Sequence, residues 1–117
     1  MSDQISWHVE LAVKPGQINN FRALTTQMVE STRAEAGVLN YERFISDDGS
    51  FVHVYERYTN SATAVAHLQT FAKNFSERFM TMVDRTRFTV FGNPSDELRG
   101  LLDRFGATYL RPFDDLP

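Results

Sequence analysis

The sequence contains no cysteine. Disulfide frameworks, thiolate nucleophiles and cysteine–zinc sites are therefore excluded. It contains no run of Lys and Arg, and its formal net charge is −3. A nucleic-acid backbone, which requires clustered cations, is not an expected partner. No apolar stretch approaches the ~20 residues of a membrane-spanning helix. The opening Met1-Ser2-Asp3-Gln4 lacks the charged and apolar regions of a secretory leader, so the expected location is the cytoplasm. Phosphate-cradling glycine patterns, internal repeats and low-complexity stretches are missing as well. Glycine and proline are few and read as punctuation, at Pro15-Gly16, Gly37, Gly49, Gly92 and Gly106.

What the chain has in quantity is aromatic surface. Aromatics make up 13% of its 117 residues, and ten are Phe. A chain of this length builds one sizeable core, and this much flat apolar surface leaves some to line a pocket or an interface.

The hydrophobic period changes along the chain. Ile5 to Val13 alternates, with Trp7, Val9, Leu11 and Val13 on one face, which is a strand. From Gln17 to Ala36, Ile18, Phe21, Leu24 and Met28 follow three- and four-residue steps, an amphipathic helix stopped by Gly37. Val38 to Ser46 and Phe51 to Thr59 are β-rich and joined by Asp47-Asp48-Gly49-Ser50. Asp-Gly there predicts a hairpin with a type I′ turn. With Asp48-Gly49 as the loop, Ile45 faces Val52, Arg43 faces Val54, Tyr41 faces Glu56 and Leu39 faces Tyr58, all on one side of the sheet. Asn40, Glu42, Phe44, His53, Tyr55 and Arg57 take the other side.

Asn60-Ser61 is a helix cap, and Leu68, Phe71, Phe75, Phe79 and Met82 continue a helical stripe to about Val83, with a break possible between Thr70 and Asn74. Arg85 to Gly92 reads as the last core strand. Asn93 then caps a helix with Pro94 at its first position and Asp96 at its third, over 94–105. Residues 107–117 form an extended arm. The expected fold is α+β, a ferredoxin-like βαββαβ unit whose core spans about 5–92. Four antiparallel strands carry two helices on one face. The opposite sheet face is partly apolar, which predicts a homodimer through that face.

Three stretches carry a family resemblance. The first is Leu39-Asn40-Tyr41-Glu42, running into the Asp48-Gly49 hairpin. The second is Val54-Tyr55-Glu56-Arg57-Tyr58 followed by Ala66-His67-Leu68-Gln69-Thr70. The third is Val90-Phe91-Gly92-Asn93-Pro94-Ser95-Asp96-Glu97-Leu98 with Tyr109-Leu110-Arg111-Pro112-Phe113. Together they resemble the antibiotic-biosynthesis monooxygenase family, a branch of the dimeric α+β barrels. The resemblance implies a monooxygenase that oxidises a small phenol, quinol or polycyclic aromatic with O₂ and uses no metal or flavin cofactor. Its haem-degrading branch is the least similar, because the segment Phe71 to Ser76 has no His to ligate iron.

By that resemblance His67 matches the family's helix histidine and Tyr58 stands where many members have Trp, which makes these two the candidate catalytic residues. An imidazole titrating near ~6.5 suits the acceptance of a phenolic proton. Tyr41 and Glu56, cross-strand neighbours, could orient a substrate hydroxyl. Asn40 and Trp7, with His8, are candidate wall residues, and Phe71 and Phe75 supply apolar lining. Each has a plainer alternative: a helix-edge histidine bonded to a strand carbonyl, Glu56 bound to Arg43 or to a neighbouring backbone group, a core or interface Trp, and His53 at the interface. His8, His53 and His67 match no common metal-ligand spacing, and no metal site is expected. The rival functions are a non-catalytic dimer binding a small aromatic molecule, or a structural family member with a filled interior.

Overall fold

The computed structural model describes residues 2–114. The elements run β1 (Ile5–Val13), α1 (Ile18–Arg33), β2 (Val38–Ile45), β3 (Phe51–Tyr58), α2 (Ser61–Asn74), α3 (Ser76–Met82), β4 (Val83–Phe91), α4 (Asp96–Asp103) and β5 (Thr108–Leu110). They form one sheet in the order β2-β3-β1-β4-β5. The first four strands pair antiparallel, as the βαββαβ order predicts.

β1 is central because its alternation lets one face be buried along its whole length. Trp7, Val9 and Leu11 lie beneath the helices. α1 lays Phe21, Leu24 and Met28 on the same face, and α2 adds Ala64, Val65, Leu68 and Phe71. α1 ends three residues before the expected limit at Ala36. Gly37 then sits at φ +85°, where a Cβ would come within 2.8 Å of the Thr59 and Thr63 hydroxyls. Glycine is required there on both counts.

The structure corrects four local expectations. The β2–β3 register is as read from Tyr41 to Ile45, but a bulge after Val38 puts Val38, not Leu39, opposite Tyr58. Leu39 is left exposed. The turn is not type I′: among the described residues only glycines have positive φ, so Asp48 does not adopt it. Instead the Asp48 carboxylate accepts from the Ser50 hydroxyl and backbone N–H and from the Ser46 hydroxyl. These bonds hold it down to about 2 and replace the turn chemistry that two left-handed residues would supply.

The third correction lies at the helix following Pro94, where Ser95 is the cap, accepting from Leu98 N–H, and Asp96 is the first helical residue. The cap falls two positions later than Asn93, since Ser95 has the extended backbone a cap needs. The fourth concerns the arm. Thr108–Leu110 pairs parallel with Thr89–Phe91 as a fifth strand, so the sheet is mixed. Its far end, 115–117, lies outside the described residues.

The long second helical stripe breaks at Phe75, whose φ of −129° and ψ of −29° separate α2 from α3. This lets Phe79 pack edge-on against both Phe21 and Phe71. α4 buries Leu98 and Leu102 completely, and behind it Phe105 stacks on Phe88 at 5.6 Å. The C-terminal segment therefore closes one end of the space between sheet and helices.

Candidate active site

Three elements bring the candidate groups together. On β3, Glu56 and Tyr58 are two residues apart and so share the core face. Tyr41 lies directly opposite Glu56 on β2. α2, capped by Asn60, seats His67 above them, 5% exposed. His67 Nε2 lies 3.2 Å from Glu56 Oε1, and its Nδ1 lies 3.1 Å from Glu35 Oε1. The Tyr58 hydroxyl donates to the same Glu56 Oε1. The Tyr41 and Tyr58 rings flank the imidazole at 5.3 and 5.2 Å.

An imidazole with a carboxylate at each nitrogen makes both contacts as hydrogen bonds only when both nitrogens carry protons. Burial alone would lower the His67 pKa. The hydrogen bond and charge of Glu56, with those of Glu35, outweigh burial and raise it. Burial would likewise raise the Glu56 pKa, but the bond and charge from His67, with the bond from Tyr58 and the charge of Arg43, bring it down. The pair is therefore an imidazolium and a carboxylate. Burial and the Glu56 charge raise the pKa of Tyr58 strongly and that of Tyr41 as well, keeping both phenols protonated.

Glu56 and His67 stand at the wall of an interior hollow of about 40 Å³ between sheet and helices. Trp7, Tyr41, Phe71, Phe79, Phe88 and Phe105 also line it. That volume accommodates about two or three water molecules, less than an aromatic ring. Leu68, Phe71 and Phe105 also line an outer groove of about 520 Å³ between α2 and α4. These three side chains stand between the two spaces.

Two arginines complete the lining. A bulge between Glu10 and Leu11 in the β1–β4 pairing turns Arg85 as well as Phe88 inward. The Arg85 guanidinium lies over the Phe105 ring at 4.5 Å, and burial lowers its pKa. Arg43 stacks on Tyr41 at 4.0 Å. Its Nε and Nη1 are shut off from solvent without a hydrogen-bond partner among the described residues.

Of the residues singled out from the sequence, His67, Tyr58, Glu56 and Tyr41 form one cluster. Trp7 and Phe71 line the hollow, Trp7 packing on Tyr58 at 4.8 Å. Asn40 stands apart: it donates to Glu42 and borders a different groove, beside Val38 and Glu35. Phe75, at the helix break, packs half-buried against the core, with the Arg78 guanidinium 5.7 Å from its ring. His8 is on the other sheet face, 3.0 Å from His53. Glu56 does not hydrogen-bond Arg43 as the plainer alternative held; it holds His67 and Tyr58. Among the described residues no group of three or more His, Asp and Glu is placed to hold a metal ion.

Sequence reasoning missed Glu35, Arg43 and Arg85. Glu35 follows the end of α1, where the helix dipole disfavours an acid; a carboxylate so placed hints at a partner elsewhere. Arg43 falls between Tyr41 and Ile45 on the inward set of the hairpin, where a charge is unexpected.

Residues 5–85 match the sequence pattern of the family described as antibiotic biosynthesis monooxygenase. The chain belongs to that family. Among curated proteins none matches. Solved structures similar to this family member include MupZ from Pseudomonas fluorescens, at 23% identity and a TM-score of 0.89, covering 100% of this chain and 91% of that one. An antibiotic biosynthesis monooxygenase family protein from Nitrosomonas europaea is 20% identical with a TM-score of 0.70, covering 80% and 92%. One from Bacteroides thetaiotaomicron is 20% identical at 0.67, covering 74% and 85%. These likenesses establish the ferredoxin-like fold. The MupZ superposition extends over α4 and β5, beyond the matched family segment, whereas the other two cover a smaller share of the chain.

Proposed function

We propose that this family member is a cofactor-independent monooxygenase. Its substrate in this reading is a small phenol, quinol or polycyclic aromatic. The observation that carries the reading is the buried His67–Glu56 pair at the wall of an aromatic-lined hollow, with the part-exposed Glu35 on the far nitrogen of His67. The ring enters as Phe105 moves aside. The Glu56 carboxylate accepts the substrate's hydroxyl proton. The electron-rich ring then reduces O₂ and gains a carbon–oxygen bond, and the peroxide takes the proton back from Glu56 to become a hydroperoxide. Glu56 next removes the proton on that ring carbon as the O–O bond breaks, and the His67 imidazolium protonates the departing hydroxide, which leaves as water. The ring is left as a quinone. Proton transfer from Glu56 to His67, 3.2 Å away, restores the pair. Tyr58 holds Glu56 in place, and the apolar walls keep bulk water from the intermediate.

The test is oxygen consumption with a panel of hydroquinones and naphthols, in buffer stripped of metals. Uptake that falls at least tenfold in both Glu56→Gln and His67→Ala supports the reading. Uptake no faster than the uncatalysed rate across the panel defeats it. A second reading is supported by the double commitment of His67, which makes it a proton donor: the same pair could perform acid–base chemistry with no oxygen. Product formation under argon would select it. Binding of the same aromatics without turnover in air or argon would select a non-catalytic ligand carrier.

The assembly we propose is a homodimer through the open sheet face. Phe44, Phe51 and Phe91 are exposed there, with the His8–His53 pair between them. No described helix is long and apolar enough to cross a membrane.

A further inference from the structure

The unpartnered nitrogens of Arg43 are the least expected feature of the interior. A guanidinium has five N–H donors and no acceptor, and burying any of them without a partner is unfavourable. Here Nε and Nη1 are both enclosed with no acceptor among the described residues, although the residue lines the hollow. The nearby Glu56 carboxylate makes no hydrogen bond to either nitrogen, and its Oε1 is taken up with His67 and Tyr58. The Tyr41 ring covers one face of the guanidinium, its centroid 4.0 Å away.

The charges around the hollow are also unbalanced. Arg43, Arg85 and the His67 imidazolium line the hollow beside one carboxylate, Glu56, while Glu35 stands behind His67 and outside the lining. Arg85 makes no ion pair among the described residues and rests on the Phe79 and Phe105 rings. Even with Glu35 counted, one negative charge is missing from a site otherwise walled by aromatic and aliphatic groups.

We propose that Arg43 is an anchor for the ligand, and that the ligand is an apolar, ring-bearing molecule with a delocalised oxyanion, a carboxylate or a phenolate, that accepts from Arg43. Its body extends past Phe105 into the groove between α2 and α4. The inference rests on the hollow being the binding site, as in the function proposed above, but not on any reaction with O₂.

Binding is measured by calorimetry or by ligand-induced chemical-shift changes, under argon and at about pH 8. Two matched pairs of probes are used: benzoate against benzamide, and 4-nitrophenolate against nitrobenzene. In the native chain the anion of at least one pair binds about tenfold or more tightly than its neutral partner. Arg43→Met removes that preference, and Arg43→Lys restores part of it. The pair that shows the preference tells carboxylate from phenolate. Equal binding of charged and neutral partners, a preference that survives in Arg43→Met, or no binding of any probe overturns the proposal. If Arg43→Met does not fold, the comparison of paired probes on the native chain still decides. Failure of oxygen uptake alongside a clear anion preference would sink the monooxygenase reading and leave the anchor standing.

Discussion

Tyr58 and His67 both donate to one oxygen of Glu56, Oε1, from opposite elements of the fold. The Glu56 side chain is 10% exposed, so its charge is held by protein groups with little help from water. Removing either donor leaves it under-satisfied, and removing the carboxylate leaves a buried imidazolium with Glu35 alone.

Breaking this pair from one side should be costly. His67→Ala and Glu56→Ala are each expected to lower stability by about 3–5 kcal/mol. The double substitution His67→Phe with Glu56→Leu should lose less than the sum of the two single alanine changes. Urea denaturation of the three variants checks this. Additive losses would mean that the two groups are not coupled.

The pair also sets a pH dependence. Glu56 titrates lower in the fold than its ordinary 4.5. Its contribution is therefore present above about pH 4.5 and is lost as pH falls through the folded value. His67 titrates higher than its ordinary 6.5. Its contribution is present below about pH 6.5 and is lost as pH rises through the folded value. The pair's stabilisation should be greatest between about pH 4.5 and 6.5. The melting temperature of the native chain, minus that of Glu56→Leu/His67→Phe, should peak in that window and shrink on both sides. A difference that is flat with pH would contradict the assignment.

Phe105 closes the hollow by stacking on Phe88. Phe105→Ala should destabilise by about 3 kcal/mol through lost packing and widen access to the interior. The rate of binding of the aromatic probes, followed by stopped-flow fluorescence of Trp7, should rise. An unchanged rate would place the entrance elsewhere.

The apolar part of the open sheet face should vanish on dimerisation. Phe44 and Phe51 are 58% and 53% exposed, so Phe44→Glu and Phe51→Glu should leave the fold intact, as judged by near-ultraviolet dichroism. Each should shift sedimentation from dimer towards monomer. A native chain that sediments as a monomer at all concentrations would refute the dimer.

Gly37→Ala should lower stability by about 1–3 kcal/mol, because φ +85° is strained for alanine and its Cβ meets the Thr59 and Thr63 hydroxyls at 2.8 Å. Thermal unfolding measures the loss. A neutral effect would mean that the two threonines reorient without penalty.

Much of the architecture was legible because it depends on period. The alternation of Trp7, Val9 and Leu11 and the stripe of Phe21, Leu24 and Met28 each specify an element and its inward face. The hairpin register also followed, placing Tyr41 opposite Glu56. What escaped were features set by tertiary contact. The bulge after Val38 and the one opposite Thr86 shift register locally, so alternation predicts neither the exposure of Leu39 nor the inward turn of Arg85. The fifth strand was missed because three residues give too short a run to show a period. Within the candidate cluster, His67, Tyr58, Glu56 and Tyr41 were legible through the family pattern and the register. Glu35 was not, since it lies 32 positions from His67 and is joined to it only by the fold.

β5 and the bulge in β2 have a consequence for how copies of the chain can meet. β5 is a mere three residues long and is followed closely by Pro112, which has no N–H to offer. At the opposite margin β2 is kinked beside Asn40 and carries Glu42 and Arg43. Short, kinked, charged and proline-flanked rims resist the addition of further strands. In the proposed dimer, two molecules would thus meet broadside, phenylalanine to phenylalanine, rather than zipping rim to rim into an open-ended ribbon.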